Sequence, residues 1–155
     1  MDKNTQPYDR LRKSWRIFVK GYDNPELFFA PTRGRAIKEA RQSTSQQILW
    51  RDVRAIRAPE SDVRLPLRHQ LADEMTKEQT HCLLHSFGAN ENNPYKAGWR
   101  DYFFTRRNDP DLCALERLGL MRPKGSALCE DGEVYFIMTD LGKQVALSLV
   151  PEYAP

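Results

Sequence analysis

Residues 109–149 read DPDLCALERLGLMRPKGSALCEDGEVYFIMTDLGKQVALSL, a unit with a start, a reversal and a stop. Asp109 precedes Pro110, which keeps it extended as an N-cap needs, and Pro110 at the first helical position loses no hydrogen bond. Leu112, Leu115 and Leu118 recur at helical spacing around Ala114, and Gly119 supplies a left-handed end onto which Leu120 packs back. After a loop holding Pro123 and Gly125, strands at Ala127–Cys129 and Glu133–Met138 flank Glu130-Asp131-Gly132, a tight-turn signal. Thr139 then caps a last helix with Leu141, Val145 and Leu149 on one face, and Pro151 ends it. The spacing predicts helix, hairpin, helix.

The chain before this unit divides in two. Residues 1–13 are polar and read as loose. Ser14–Lys20 alternates, with Trp15, Ile17 and Val19 on one face and Arg16, Phe18 and Lys20 on the other, and Glu26–Ala30 follows a turn as a second strand. Thr32 caps a helix at 33–42 with Ala36, Ile37 and Ala40 inside, weakened by Gly34, and Ile48–Ala58 is a third strand with an irregular start. Residues 59–75, with Pro59, Pro66 and few large apolar side chains, read as a linker. Thr76 and Gln79 form a capping box for a helix with Leu83, Leu84 and Phe87 inside and Gly88 at its end. A long Asn-rich loop, Asn90–Gly98, leads to Trp99–Arg106, WRDYFFTR, whose four aromatics are expected in the core. The expected fold class is α+β: a small basic ββαβ unit at 14–58, a linker at 59–75, and a second domain at 76–150.

Two resemblances add to this reading. Leu115, Glu116, Leu118, Gly119, Leu120 and Met121, followed by Ile137 or Met138, Thr139 and Gly142, resemble the second half of a MarR-type winged-helix domain, in which a leucine-spaced helix ending in Gly-Leu leads into a β-wing and then LT-x-x-G. That resemblance implies a winged-helix-like second domain. Trp15–Val19, Ala30–Ala36, Asp52–Arg54 and Arg57–Pro59, with Gln79–Gly88, Tyr95, Gly98–Arg100 and Tyr102-Phe103, resemble small, uncharacterised bacteriophage and prophage proteins. It implies a phage or mobile-element origin and the cytoplasm of a host bacterial cell.

A chain of 155 residues can bury a core without staples. Its start, MDKNTQPYDR, is polar, so neither a leader nor a membrane partner is expected. Three cysteines, Cys82, Cys113 and Cys129, are odd in number and unpaired in spacing, as for reduced thiols in a cytosolic protein. The net charge of +3 hides a division: residues 1–70 hold 15 Lys and Arg against 8 Asp and Glu, a balance of +7, and residues 71–155 hold 9 against 13, a balance of −4.

No motif frames a catalytic site. His81 and His85 stand at the i, i+4 spacing that lets two imidazoles reach one metal ion, but Cys82 stands where a zincin has glutamate, so we expect no metal and no cofactor. Lys124-Gly125-Ser126 lacks the glycines and strand of a phosphate loop, and Glu130 and Asp131 fall on a turn. We therefore expect neither an enzyme nor a small-molecule substrate.

The positive half is the stronger signal. Arg33, Arg35, Lys38 and Arg41 lie along one helix, and Arg51, Arg54 and Arg57 follow on the next segment, a candidate nucleic-acid-binding stripe whose alternative is a solvated, charge-paired surface. A wing that tracks phosphates should be basic, whereas this one sets Arg122 and Lys124 against Glu130, Asp131 and Glu133. The expected function is a nucleic-acid-binding, regulatory accessory protein. The alternative is a protein–protein inhibitor of a host defence complex, anti-CRISPR-like, that uses acidic and aromatic surface. A homodimer is compatible with either.

Overall fold

The computed structural model describes residues 10–90, 92–124 and 132–155. It is mixed α+β, with four α-helices and three small antiparallel sheets among the described residues, in two compact units that divide between Leu65 and Pro66.

In the first unit β1 (Arg10–Arg12) leads into β2 (Ser14–Val19), β3 (Glu26–Phe29), α1 (Arg33–Gln42), β4 (Val53–Arg57) and β5 (Val63–Leu65). β2 is the centre of a β3-β2-β4 sheet, with Arg16 opposite Leu27 on one side and Ile56 on the other. The alternation in β2 has its expected consequence: Trp15, Ile17 and Val19 turn inward, where they meet Ala36, Ile37 and Ala40 of α1. The Thr32 hydroxyl accepts from the Arg35 N–H at 3.2 Å and so satisfies one of the orphan donors at the start of α1. The third strand starts late. Trp50–Asp52 forms a 3₁₀ turn, Leu49 and Trp50 are exposed, and pairing begins at Val53.

The expected linker is not elementless. Pro59–Ser61 is a 3₁₀ turn, β5 pairs with β1 so that Arg10 faces Leu65, and Gln70–Glu74 is a second 3₁₀ turn whose Ala72 is buried. Residues 10–12, read as loose, are thereby in a sheet. The physical reason is Asp62: its carboxylate accepts the Ser14 N–H at 2.8 Å and two bonds from Arg57 at 2.8 and 2.6 Å, which draws the chain after β4 back onto the start of β2.

In the second unit α2 (Lys77–Phe87) is followed by β6 (Tyr102–Arg106), α3 (Pro110–Arg117), β7 (Met121–Lys124), β8 (Glu133–Met138) and α4 (Asp140–Leu149), and the sheet order is β6-β8-β7. The local signals are realised. Thr76 and Gln79 close the capping box at 3.2 and 3.1 Å, and the Asp109 carboxylate accepts from the N–H groups of Asp111 and Leu112 at 3.0 and 3.1 Å. The core gathers Leu83, Leu112, Leu115, Leu120, Phe136 and Val145, all fully buried. Each contributes roughly 1.5–3 kcal/mol by leaving water.

One joint fixes α4. Gly119 has φ +76°, a conformation that costs glycine nothing, and its carbonyl accepts from the Thr139 hydroxyl at 2.6 Å while the Leu120 carbonyl accepts the Thr139 N–H at 3.0 Å. The same hydroxyl caps α4 through the Gly142 N–H at 3.0 Å. A Cβ on Gly142 would stand 2.0 Å from the Leu120 carbonyl oxygen, so glycine is what allows helix and turn to touch.

Two expectations need correction here. Pro123 lies in a strand rather than a loop: β7 begins directly after Leu120 and pairs Met121 with Met138 through Lys124 with Tyr135. Proline is tolerated because β7 is an edge strand. The expected strand at 127–129 and the acids Glu130 and Asp131 lie outside the described residues. The aromatic run is also not a core run. Only Phe103 packs on the core; Tyr102 and Phe104 alternate outward, and Trp99 is 66% exposed.

Candidate nucleic-acid interface

The sequence-predicted cations divide by what holds them. Arg57 forms a two-bond ion pair with Asp62, also donates to the Ser14 carbonyl at 2.6 Å, and lies 5.4 Å from the Trp15 ring centre. It is a latch of the first unit and is removed from the candidate stripe. The Arg57 guanidinium and the Ser14 donors hold the Asp62 carboxyl well below the usual carboxylate range, against the opposing effect of burial. Arg35 pairs with Glu39 one turn along α1, at 2.6 Å. The Arg41 Nε donates to the Ile48 carbonyl at 2.6 Å, and its guanidinium lies 4.7 Å from the Trp50 ring centre.

Arg33, Lys38, Arg51 and Arg54 remain. All four are exposed and make no ion pair with any described residue. They are not one stripe. α1 covers the inner face of the first sheet through Ala36, Ile37 and Ala40, so Lys38 lies on the solvent side of that helix and Arg33, in helical register with the buried face, is exposed at its first turn, whereas Arg54 stands on the opposite, open face of the sheet. There its guanidinium lies 4.9 Å from the ring centre of Phe18, its cross-strand partner. Arg16 and Ile56 share this open face, and Arg16 is ion-paired to Glu60.

The second unit carries a surface the sequence reading did not find. The outward positions of β6, β8 and β7 form cross-strand rows: Tyr102, Ile137 and Arg122 in one, then Phe104, Tyr135 and Lys124 in the next. Tyr135 is 46% and Phe104 44% exposed, and their ring centres are 4.7 Å apart. Tyr102 meets Tyr135 edge-on at 5.7 Å, and the Arg100 guanidinium lies 4.5 Å from the Tyr102 ring centre. Strand alternation applied to Tyr102–Arg106 would have signalled this face, but aromatics on both sides of one strand hide which side is core.

The remaining candidates do not assemble a reaction site. His81 and His85 stack at 6.3 Å, and His85 sets its ring edge-on to Phe103 at 5.3 Å. Burial, with the nearby charges of Arg100 and His81, lowers the His85 pKa. Burial and the surrounding carboxylates Asp111, Asp109 and Glu78 push the Cys82 thiol up to about 11, the opposite of what a nucleophile needs. Among the described residues no group of three or more His, Cys, Asp or Glu side chains could hold a metal ion, and no helix is long and apolar enough to cross a membrane. No family model matches the chain, and neither a curated protein nor a solved structure is significantly similar to it.

Proposed function

We propose that the protein is a non-enzymatic, nucleic-acid-binding accessory protein, consistent with the phage-like character of its sequence. The observation that carries this is the set of exposed cations in the first unit, Arg33, Lys38, Arg51 and Arg54, that acids of the described residues leave unneutralised. Unpaired guanidinium and ammonium groups attract a polyanion and release its counterions on contact. The inhibitor reading uses acidic and aromatic surface, and among its described outward positions the aromatic face of the second unit carries Arg106, Arg122 and Lys124 against Glu133 alone.

The order α2-β6-α3-β7-β8-α4, with β7 and β8 paired as a wing, supports a winged-helix-like second unit. One feature departs from that pattern: a helix-turn-helix places two helices in succession, and only the eight-residue α3 stands between β6 and β7. α3 also sets Asp109, Asp111 and Glu116 against Arg117. Insertion of α3 into a major groove is therefore not part of the proposal.

The test is affinity for duplex and single-stranded DNA across a salt series. The double variant Arg33→Ala, Lys38→Ala should weaken binding to all sequences alike and flatten the slope of log affinity against log salt by about 2 on duplex. Absence of salt-dependent binding at low salt would overturn the reading.

A further inference from the structure

We infer that the open face of the β6-β8-β7 sheet is a stacking site for unpaired bases, so that the second unit binds single-stranded nucleic acid. The inference rests on the nucleic-acid reading above and gives it a substrate class and a second surface. An antiparallel sheet buries one face and leaves the other to water, and the wet face is ordinarily polar. Here it presents Tyr102 and Phe104 on the edge strand β6 and Tyr135 on the central strand β8, each more than a third exposed and each in ring contact with another. Three large rings left in water cost solvation that folding does not recover, so the face is built for contact.

What it contacts follows from its charge. Arg122 and Lys124 on β7 and Arg106 on β6 flank the rings and make no ion pair with any described residue; Glu133 is the one acid among the described outward positions of the three strands. Cations around exposed rings match an anionic backbone carrying flat apolar groups, which is the chemistry of a single strand. A duplex offers phosphates but keeps its base faces stacked inside, so the rings would have nothing to bind.

The surface continues past Tyr102. Arg100 lies with its guanidinium 4.5 Å from the Tyr102 ring centre and 5.8 Å from that of Trp99, and its Nε is buried without a hydrogen-bond partner. Arg100 and Trp99 line an open groove of about 580 Å³ together with Phe87, Lys143 and Gln144. Lys143 supplies a further cation there, partly offset by Asp101 at 3.6 Å.

The experiment is fluorescence anisotropy of the full chain with labelled dT20, rU20 and a 20-base-pair duplex at low salt. Removing one ring should lower single-strand affinity by the equivalent of one stacked base, about 5- to 150-fold for Tyr135→Ala and for Phe104→Ala. Tyr135→Phe should retain wild-type affinity, and neither alanine variant should change duplex binding. The comparison of dT20 with rU20 separates DNA from RNA as the source of the strand, and tight binding of either supports the site. A 5-bromouracil strand cross-linked to wild-type protein reports position without any variant, and the cross-links should fall within residues 102–106 or 133–138. If both alanine variants bind single strands as wild type does, or the cross-links lie only elsewhere, the stacking site is overturned while the phosphate-binding reading stands. If wild type binds none of the three probes, both fall.

Discussion

The chain builds a three-stranded antiparallel sheet twice, β3-β2-β4 and β6-β8-β7, and each is stabilised within its own unit by different means. Beneath the first lie Ala30, Ala36, Ala40 and Ala55 with Ile17, Ile37, Ile48 and Val53; beneath the second lie leucines, Phe136 and methionines. Alanine removes little apolar surface from water, so the first sheet gains less from burial and relies on the charged latch of Arg57, Asp62 and Ser14. The open faces differ in a complementary way. On the first, Phe18 is covered by Arg54 and Arg16 is occupied by Glu60; on the second, the rings contact one another and the cations of β6 and β7 are left without acids of the described residues. On the open face of the first sheet the charged side chains thus engage neighbours of their own unit, whereas on that of the second the rings and the β7 cations are left open.

The largest expected effect strikes the larger core. Phe136→Ala should destabilise the second unit by about 4 kcal/mol, because Phe136 is fully buried at the centre of its sheet. Hydrogen exchange across β8 and α4 measures it, and a loss below about 1 kcal/mol would mean that the core is not packed as described. Next comes Gly142→Ala, expected to cost about 3 kcal/mol because the new methyl meets the Leu120 carbonyl rather than a flexible side chain. Unchanged thermal stability of that variant would contradict the close approach of α4.

A middle effect tests the latch. Asp62→Asn should cost the first unit about 2 kcal/mol, less than a fully buried pair, since the Arg57 side chain is 32% exposed. The sign with pH follows from the lowered pKa of Asp62. Its stabilisation is fully present above the unfolded carboxyl value of about 3.9 and is lost as pH falls below it toward the folded value. Acid unfolding of the first unit, followed between pH 5 and pH 2, should therefore be steeper in wild type than in Asp62→Asn. Equal steepness would remove the latch from the account. The smallest effect is Arg33→Ala with Lys38→Ala, which should leave stability within about 0.5 kcal/mol because neither side chain has a partner among the described residues. A larger loss in the melt would show these cations to be structural.

What could be read in advance was local. Thr76 with Gln79, Asp109 with Pro110, and Thr139 each specify a helix start through atoms within three residues, and all three caps formed. The alternation of Trp15, Ile17 and Val19 likewise gave the inner face of β2. The parts that escaped depend on distance along the chain or on a choice between faces. β1 and β5 are three residues each and pair across more than fifty residues, with no apolar pattern to announce them. Arg57 read as a free cation because its partner Asp62 lies in a stretch whose composition suggests a linker. Pro123 suggested a loop because its place on an edge strand depends on the partner β8. In the candidate interface, Arg33, Lys38, Arg51 and Arg54 were legible from charge alone, whereas the Tyr102, Phe104 and Tyr135 face needed the register of β6 against β8.

The proposed function requires that exposed cations of this chain meet nucleic acid. The most direct measurement is a titration of the isotope-labelled full chain with dT20, read amide by amide by NMR at low and at moderate salt. The account predicts shifts at Tyr102–Arg106, at Arg122 and Lys124 and at Glu133–Met138 in the second unit, and around Arg33, Lys38, Arg51 and Arg54 in the first, with all of them shrinking as salt rises. A spectrum that does not move at low salt, or that moves only at residues away from both sets, would contradict it.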